Sequence, residues 1–242
     1  VTEPFLAGKT AVVTGAGRGI GRATAIALAK AGANLALASR TLRELEETSA
    51  LVQAEGRSCL VVPTDVTDEA ACEDLITRTV GSFGQVDILI NNAGGAVFKP
   101  VWELSTAEFD LSLNANLRST FFCSRAALRV MMPRKSGTIV NLASTSGKKP
   151  YLTQGAYCAA KAGVIALSKV MALELREHNI RVHVICPGGV DTQMAAEIHP
   201  TRDKTGWIQP EDIAASILYL LSVPSNITLD ELTLRRFDAE PL

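Results

Sequence analysis

The stretch "TAVVTGAGRGIG", Thr10 to Gly21, decides how the chain is read. Its first five residues form an apolar run too short for a helix, and four glycines follow at once. An apolar run of this length bounded by glycine reads as a buried strand. The residues after Gly19 carry an alanine-rich helical pattern, so the glycines sit in a strand-to-helix turn. Such a turn brings backbone N–H groups close to a pyrophosphate, which a helix N-terminus also attracts. The spacing Gly15-x-x-x-Gly19-x-Gly21 differs from the usual G-x-G-x-x-G, and taken alone it also suits a plain tight loop.

Working outward, short apolar runs alternate with helical patterns almost from end to end. The expected strands are 10–14, 34–39, 58–63, 86–91, 137–144 and 180–187, mostly Val, Ile and Leu without strict alternation. Runs of that kind belong to strands covered on both faces. Helical patterns occupy about 19–31, 41–55, 68–82, 105–132 and 155–177. A further helix is expected from about Pro210 and a short last strand within "DELTLRRF". This alternation predicts βαβ units: one α/β domain over 1–242, a doubly wound parallel sheet of Rossmann type with helices on both faces. The segment 193–209 has only a weak pattern and reads as irregular.

Composition fits that class. The 242 residues are 47% hydrophobic and 20% charged, with a formal net charge of -1. No basic excess points to nucleic acid or an anionic membrane. Five cysteines without C-x-x-C spacing argue against a disulfide framework and a structural zinc site, so no metal is expected. The N-terminus lacks a signal-peptide pattern, and no uninterrupted apolar run approaches the roughly 20 residues of a membrane span. The expectation is a cytoplasmic protein.

The end of the second strand bears on the nucleotide. A carboxylate there would hold the ribose 2′-OH of NAD, whereas a cation would accommodate the 2′-phosphate of NADP. This chain has Ser39, Arg40 and Thr41, and Arg18 adds a cation within the glycine turn. A guanidinium matches phosphate through its planar fork. The expectation is NADP(H), although Arg40 also suits the solvated start of a helix.

The second telling stretch is "YCAAK", Tyr157 to Lys161. At i and i+4 the phenol and the ammonium share one helix face. A free tyrosine titrates near ~10, and an adjacent ammonium is expected to lower that value towards useful acid–base range. On its own the pair also reads as a core aromatic and a solvated charge.

With these residues in place the chain resembles the short-chain dehydrogenase/reductase family, in its compact single-domain branch, over about residues 7–222. The motifs are "TGAGRGIG", Asp65–Val66, "NNAG" at 91–94, "NANL" around Asn116, "NLAS" ending at Ser144, "YCAAK", and "PGGVDT" at 187–192. Within the family it is similar to bacterial-type 3-oxoacyl-carrier-protein reductases. The resemblance implies a catalytic tetrad of Asn116, Ser144, Tyr157 and Lys161, with Asn114 as a competitor for the first place. It also implies cofactor binding by Gly15, Gly17, Arg18, Gly19, Ile20 and Gly21 in the turn, and by Ser39, Arg40 and Thr41 after the second strand. Asp65, Val66, Asn92, Ala93 and Gly94 would line the adenine and ribose. Tyr157, Lys161, Pro187, Gly188, Val190 and Thr192 would lie on the nicotinamide side.

The implied activity is NADPH-dependent interconversion of a ketone or aldehyde with an alcohol, by a homodimer or homotetramer, on a small or carrier-bound carbonyl. A non-catalytic NADP-sensing regulator is the rival, but such proteins typically lack the tyrosine or lysine. The extended branch of the family has a T-G-x-x-G-x-x-G turn and a large C-terminal domain, which this chain lacks. Two features depart from the pattern. Relatives commonly end in a strand closing on Asp-Gly-Gly, where this chain has "LDELTLRRFDAEPL". The segment after Thr192 is short, which suggests an open pocket; Met194, Ile198 and Trp207 there suit either an apolar wall or packing.

Overall fold

The computed structural model describes residues 4–198, 201 and 203–241. Seven strands form one sheet in the order β3-β2-β1-β4-β5-β6-β7. They are β1 (Thr10–Thr14), β2 (Asn34–Ser39), β3 (Cys59–Pro63), β4 (Ile88–Asn91), β5 (Gly137–Leu142), β6 (Ile180–Pro187) and β7 (Glu231–Leu234). Every neighbouring pair is parallel. The chain leaves β1 for β2 on one side and later returns to β1's other flank with β4. That reversal opens a crevice at the carboxyl ends of β1 and β4, where open α/β sheets bind ligands.

The helices are α1 (Gly19–Lys30), α2 (Leu42–Ala54), α3 (Glu69–Phe83), α4 (Thr106–Leu113), α5 (Ser119–Met131), α6 (Gly155–Glu174), α7 (Gln193–Ile198) and α8 (Pro210–Ser222). Local chemistry sets several ends. Asp68 caps α3 by accepting from the Ala70 N–H, and Gly84 ends it in the left-handed region. Ser105 and Glu108 form a reciprocal capping box on α4. Pro210 occupies the first turn of α8 beside Glu211 and Asp212. One apolar cluster unites β1 and β2 with α1 and α8, and a second packs α3 and α5 against the other face.

Three expectations need correcting. The single helix expected over 105–132 is interrupted by a π-helical turn, Asn114–Arg118. Within the segment read as irregular, residues 193–198 form α7, while 199, 200 and 202 lie outside the described residues. The edge strand β3 is half-buried rather than covered on both faces, and β7, at the other edge, is half-buried too. Helix α6 is long and apolar enough, by length and composition, to cross a membrane. Here one face of it is buried and carries Lys161, Val164, Ser168 and Met171 into the core.

Candidate active site

The glycine turn is built for close approach. Gly15 has φ +64°, and a Cβ there would stand 3.0 Å from the Ala93 Cα. A Cβ on Gly21 would meet the Gly15 carbonyl oxygen at 2.1 Å, so no side chain fits. Buried hydrogen bonds lock the turn from both sides. Thr14 Oγ1 accepts from the N–H groups of Asn92 and Ala93 at 3.0 and 3.1 Å. Asn92 Nδ2 donates to the carbonyls of Thr14 and Gly15. From α1, Arg22 Nε donates to the Gly17 carbonyl at 2.9 Å, and from α2 the Thr48 hydroxyl lies 3.0 Å from the Ala16 carbonyl.

A cavity of about 720 Å³ runs from this turn along the carboxyl ends of the strands. Gly15, Gly17, Arg18, Gly19 and Ile20 border one side, with Ser39, Arg40 and Thr41 at one end. Asp65, Val66, Asn92, Ala93 and Gly94 follow, and Asn116, Tyr157, Lys161, Pro187 and Thr192 close the other end. Gly21 does not reach the cavity; its place is the tight packing beneath Gly15. Gly188, Val190 and Ser144 line an adjoining cavity instead.

The end near Ser39 has a definite chemistry. Ser39 Oγ is buried without a hydrogen-bond partner among the described residues. Two hydrogen bonds from Thr67 hold the Asp65 carboxyl below its usual value, and the exposed Arg40 guanidinium adds a smaller pull in the same direction. Arg18 Nη1 lies 3.4 Å from Glu197 Oε1 on α7, a half-exposed pair that joins the turn to the segment above it. The sequence reading missed Glu44, whose side chain stands against Gly17 at this end of the cavity. No motif marked it; it is simply the first acid of α2.

At the opposite end, Tyr157 and Lys161 share one face of α6. Lys161 Nζ lies 5.7 Å from the Tyr157 ring centroid and donates to the Leu142 carbonyl at 2.7 Å. Ser144 follows β5, and its Oγ accepts from the Ser146 N–H at 3.1 Å. The expected lowering of the tyrosine is not found. Burial pushes the Tyr157 phenol up to about 12, against an opposing hydrogen bond with Ser144. Burial also lowers the Lys161 ammonium to about 8. Desolvation is the largest influence on both groups, and on Tyr157 it favours the phenol over the phenolate.

Asn116, only 1% exposed, lies in the π-helical turn and donates from Nδ2 to the carbonyls of Gly95 and Ser112. Its Oδ1 is buried without a partner among the described residues. A Cβ on Gly94 would stand 2.6 Å from that oxygen and 3.7 Å from Lys161 Nζ, so the bare glycine leaves room between amide and ammonium. The competing Asn114 also borders the cavity, but its Oδ1 accepts from Arg118 on the exposed side. A Cβ on Gly147 would meet the Lys161 backbone at 2.7 Å, so the turn after Ser144 lies directly on α6.

The adjoining cavity, about 470 Å³, shares Tyr157, Ala143, Pro187, Thr192 and Met194 with the first. Phe98, tilted against Tyr157 with ring centroids 5.8 Å apart, Ile198 and Trp207 supply apolar surface. Trp207 does both things expected of it: it lines the cavity and packs on Gly189. The remaining wall comes from Lys149, Tyr151 and Gln154 and from Arg235, Arg236, Ala239 and Glu240 of the C-terminal tail. The sequence reading did not place the tail here.

Comparison with known proteins agrees with this architecture. The family model described as short chain dehydrogenase matches residues 9–203. An uncharacterized oxidoreductase of Staphylococcus aureus (strain USA300) is 36% identical over 230 residues, covering 95% of this chain and 98% of that one. A sepiapterin reductase of Chlorobaculum tepidum is 34% identical over 231 residues, 93% and 94% of the two chains. The alcohol dehydrogenase of the archaeon Thermococcus sibiricus, solved with 5-hydroxy-NADP, superposes with a TM-score of 0.89 at 31% identity over 97% and 99%.

Proposed function

This chain belongs to the short-chain dehydrogenase family, and we propose that it interconverts a ketone or aldehyde with an alcohol, using NADP(H). The observation that carries the reading is that Tyr157 lines both cavities, so a cofactor channel and a second pocket meet at one proton donor. The alcohol dehydrogenase among its structural relatives supports an alcohol–carbonyl couple.

The first cavity suits a dinucleotide: glycine-bared backbone at a helix N-terminus faces a pyrophosphate, and the open space beyond it reaches Tyr157. Ser39, with its unpartnered hydroxyl, Arg40 and Thr41 would hold the 2′-phosphate, and Asp65 and Val66 would border the adenine. Asn92, Ala93 and Gly94 would line the ribose, and Pro187 and Thr192 would flank the carboxamide, with Gly188 and Val190 on the substrate side. NADPH, when bound, supplies the hydride.

Tyr157, protonated at neutral pH, gives its proton to the carbonyl oxygen in the reductive direction, and Ser144 holds that oxygen as charge develops. Lys161 binds the cofactor's ribose hydroxyls and keeps a cation beside the phenol; at about 8 it remains mostly charged at pH 7. Asn116 positions a water in the space beside Gly94, linking Lys161 to solvent and restoring the proton.

The experiment is oxidation of NADPH and of NADH, followed by absorbance against a panel of ketones and aldehydes, for the native protein and Arg40→Asp. The native protein is expected to prefer NADPH, and the variant to lose about tenfold or more of its NADPH affinity relative to NADH. No oxidation with any carbonyl would contradict the enzymatic reading and favour a sensor; an unchanged cofactor ratio would remove the case for NADP. Exposed apolar residues on α4, α5 and α6, among them Phe109, Phe121, Val170 and Leu173, support a homodimer or tetramer. Light scattering is expected to give at least a dimer at micromolar concentration, and a monomer would contradict it.

A further inference from the structure

We propose that the substrate of this site carries an anionic group, a carboxylate or phosphate, remote from its carbonyl, and that Arg235, Arg236 and Lys149 receive it. The inference rests on the oxidoreductase reading and names the substrate class for its second cavity.

The tail reaches the cavity because β7 is firmly docked. Its register on β6 runs from Val184–Glu231 to Pro187–Leu234, and the Gly188 N–H donates to the Leu234 carbonyl at 2.7 Å. Glu231 pairs with Lys148, beside the turn that follows Ser144, and with Lys169 on α6 at 2.9 Å. The chain therefore leaves the sheet at Arg235, at the carboxyl end of the strands and beside the Ser144–Tyr157 pair.

Both arginines then border the same cavity as Ser144 and Tyr157, together with Lys149 from the turn after β5. Arg235 uses one terminal nitrogen, Nη1, for the carbonyls of Arg236, Phe237 and Ala239, which folds the tail back on itself. Its other nitrogens make no hydrogen bond among the described residues. Arg236 engages Asp238 only through Nε at 3.4 Å, which leaves its two terminal nitrogens open. Lys149 Nζ lies 5.6 Å from the Tyr151 ring centroid, with no carboxylate within 4 Å among the described residues.

Among the described residues, three cations and one carboxylate, Glu240, thus line a cavity also walled by the apolar Phe98, Met194 and Trp207. That set of surfaces fits a molecule with a carbonyl for Ser144 and Tyr157, an apolar carbon skeleton, and negative oxygens for the cations. Guanidinium groups bond such oxygens in pairs, and charge-assisted hydrogen bonds are about twice as strong as neutral ones. A neutral ketone offers no oxygens of matching charge to the nitrogens that these internal contacts leave free.

The test compares each short oxoacid with its own methyl ester, alongside a ketone bearing a phosphate ester, by kcat/KM with NADPH. The native protein is expected to favour the anion over the ester at least about tenfold, a difference of about 1.4 kcal/mol. The acid and phosphate arms tell which anion is preferred. The acid-to-ester ratio should collapse towards one in Arg235→Gln/Arg236→Gln. It should fall part of the way in Lys149→Gln, which leaves the tail's own hydrogen bonds intact. An ester preferred by the native protein, or a ratio unmoved in both variants, overturns the inference while leaving the oxidoreductase reading in place. Turnover of neither member of any pair overturns both.

Discussion

The two cavities that meet at Tyr157 are made differently. The proposed cofactor channel is walled largely by loops that follow strands directly, with Glu44, Asn116, Tyr157 and Lys161 added from helices. Its glycine turn is tied down by Thr14, Asn92, Thr48 and Arg22. The second cavity adds to the strand-end residues Ser144 and Pro187–Val190 several pieces far apart in the chain: the loop bearing Phe98, the turn 145–154, residues 192–198 with Trp207, and the tail. Its polar rim is held by surface ion pairs and by hydrogen bonds within the tail. Packing that cannot yield fixes the common chemistry, while side chains that can be exchanged set the substrate.

That contrast breaks hardest at Gly21. Gly21→Ala would force a Cβ within 2.1 Å of the Gly15 carbonyl and 2.6 Å of Asn92 Nδ2, so the turn must move. A displacement of about 1 Å in a positioning element can cost roughly 100-fold. NADPH affinity by fluorescence titration is therefore expected to fall about that much. An affinity within a few-fold of native would show that the turn is looser than its contacts imply.

The smallest effect lies on the tail side. His183 on β6 is buried, with Nδ1 2.8 Å from the Leu229 carbonyl at the approach to β7 and Nε2 without a partner among the described residues. Burial holds its pKa below the ordinary 6.5. Its neutral form is favoured in the fold, so as pH falls below that ordinary value the unfolded chain takes up the proton first. Stability contributed by neutral His183 is present above 6.5 and is lost as pH falls through its folded value. Urea midpoints at neutral and mildly acid pH should show a drop that shrinks in His183→Asn. Equal drops in both proteins would assign the acid sensitivity elsewhere.

The same contrast decided what could be read from the chain itself. β1, β2 and β6 match their expected bounds because buried parallel strands are continuous apolar runs. The residues proposed for the cofactor follow strand ends, with glycine after β1 and β6 and asparagine at β4 marking the turns. Other bounds slipped: β5 ends at Leu142, two residues before the expected 144, although Ala143 still donates to the Ile185 carbonyl and Ser144 remains extended ahead of the turn 145–147. The π-helical turn at Asn114–Arg118 leaves no trace in an apolar pattern that reads the same for a continuous helix. Arg235 and Arg236 carry no motif that marks a site, since only the pairing of β7 with β6 brings them to the cavity of Ser144 and Tyr157. The raised phenol was missed for a related reason: spacing gives the proximity of Tyr157 to Lys161 but not the burial that dominates both.

The central claim is that Tyr157 supplies the proton where the two cavities join. It is tested most directly by Tyr157→Phe, assayed for NADPH oxidation with a turned-over carbonyl and, in the same preparation, for NADPH binding. Removing a positioned acid–base group is expected to lower kcat by at least about 100-fold, with cofactor affinity within a few-fold of native. Turnover close to native in a variant that binds NADPH normally would contradict the account.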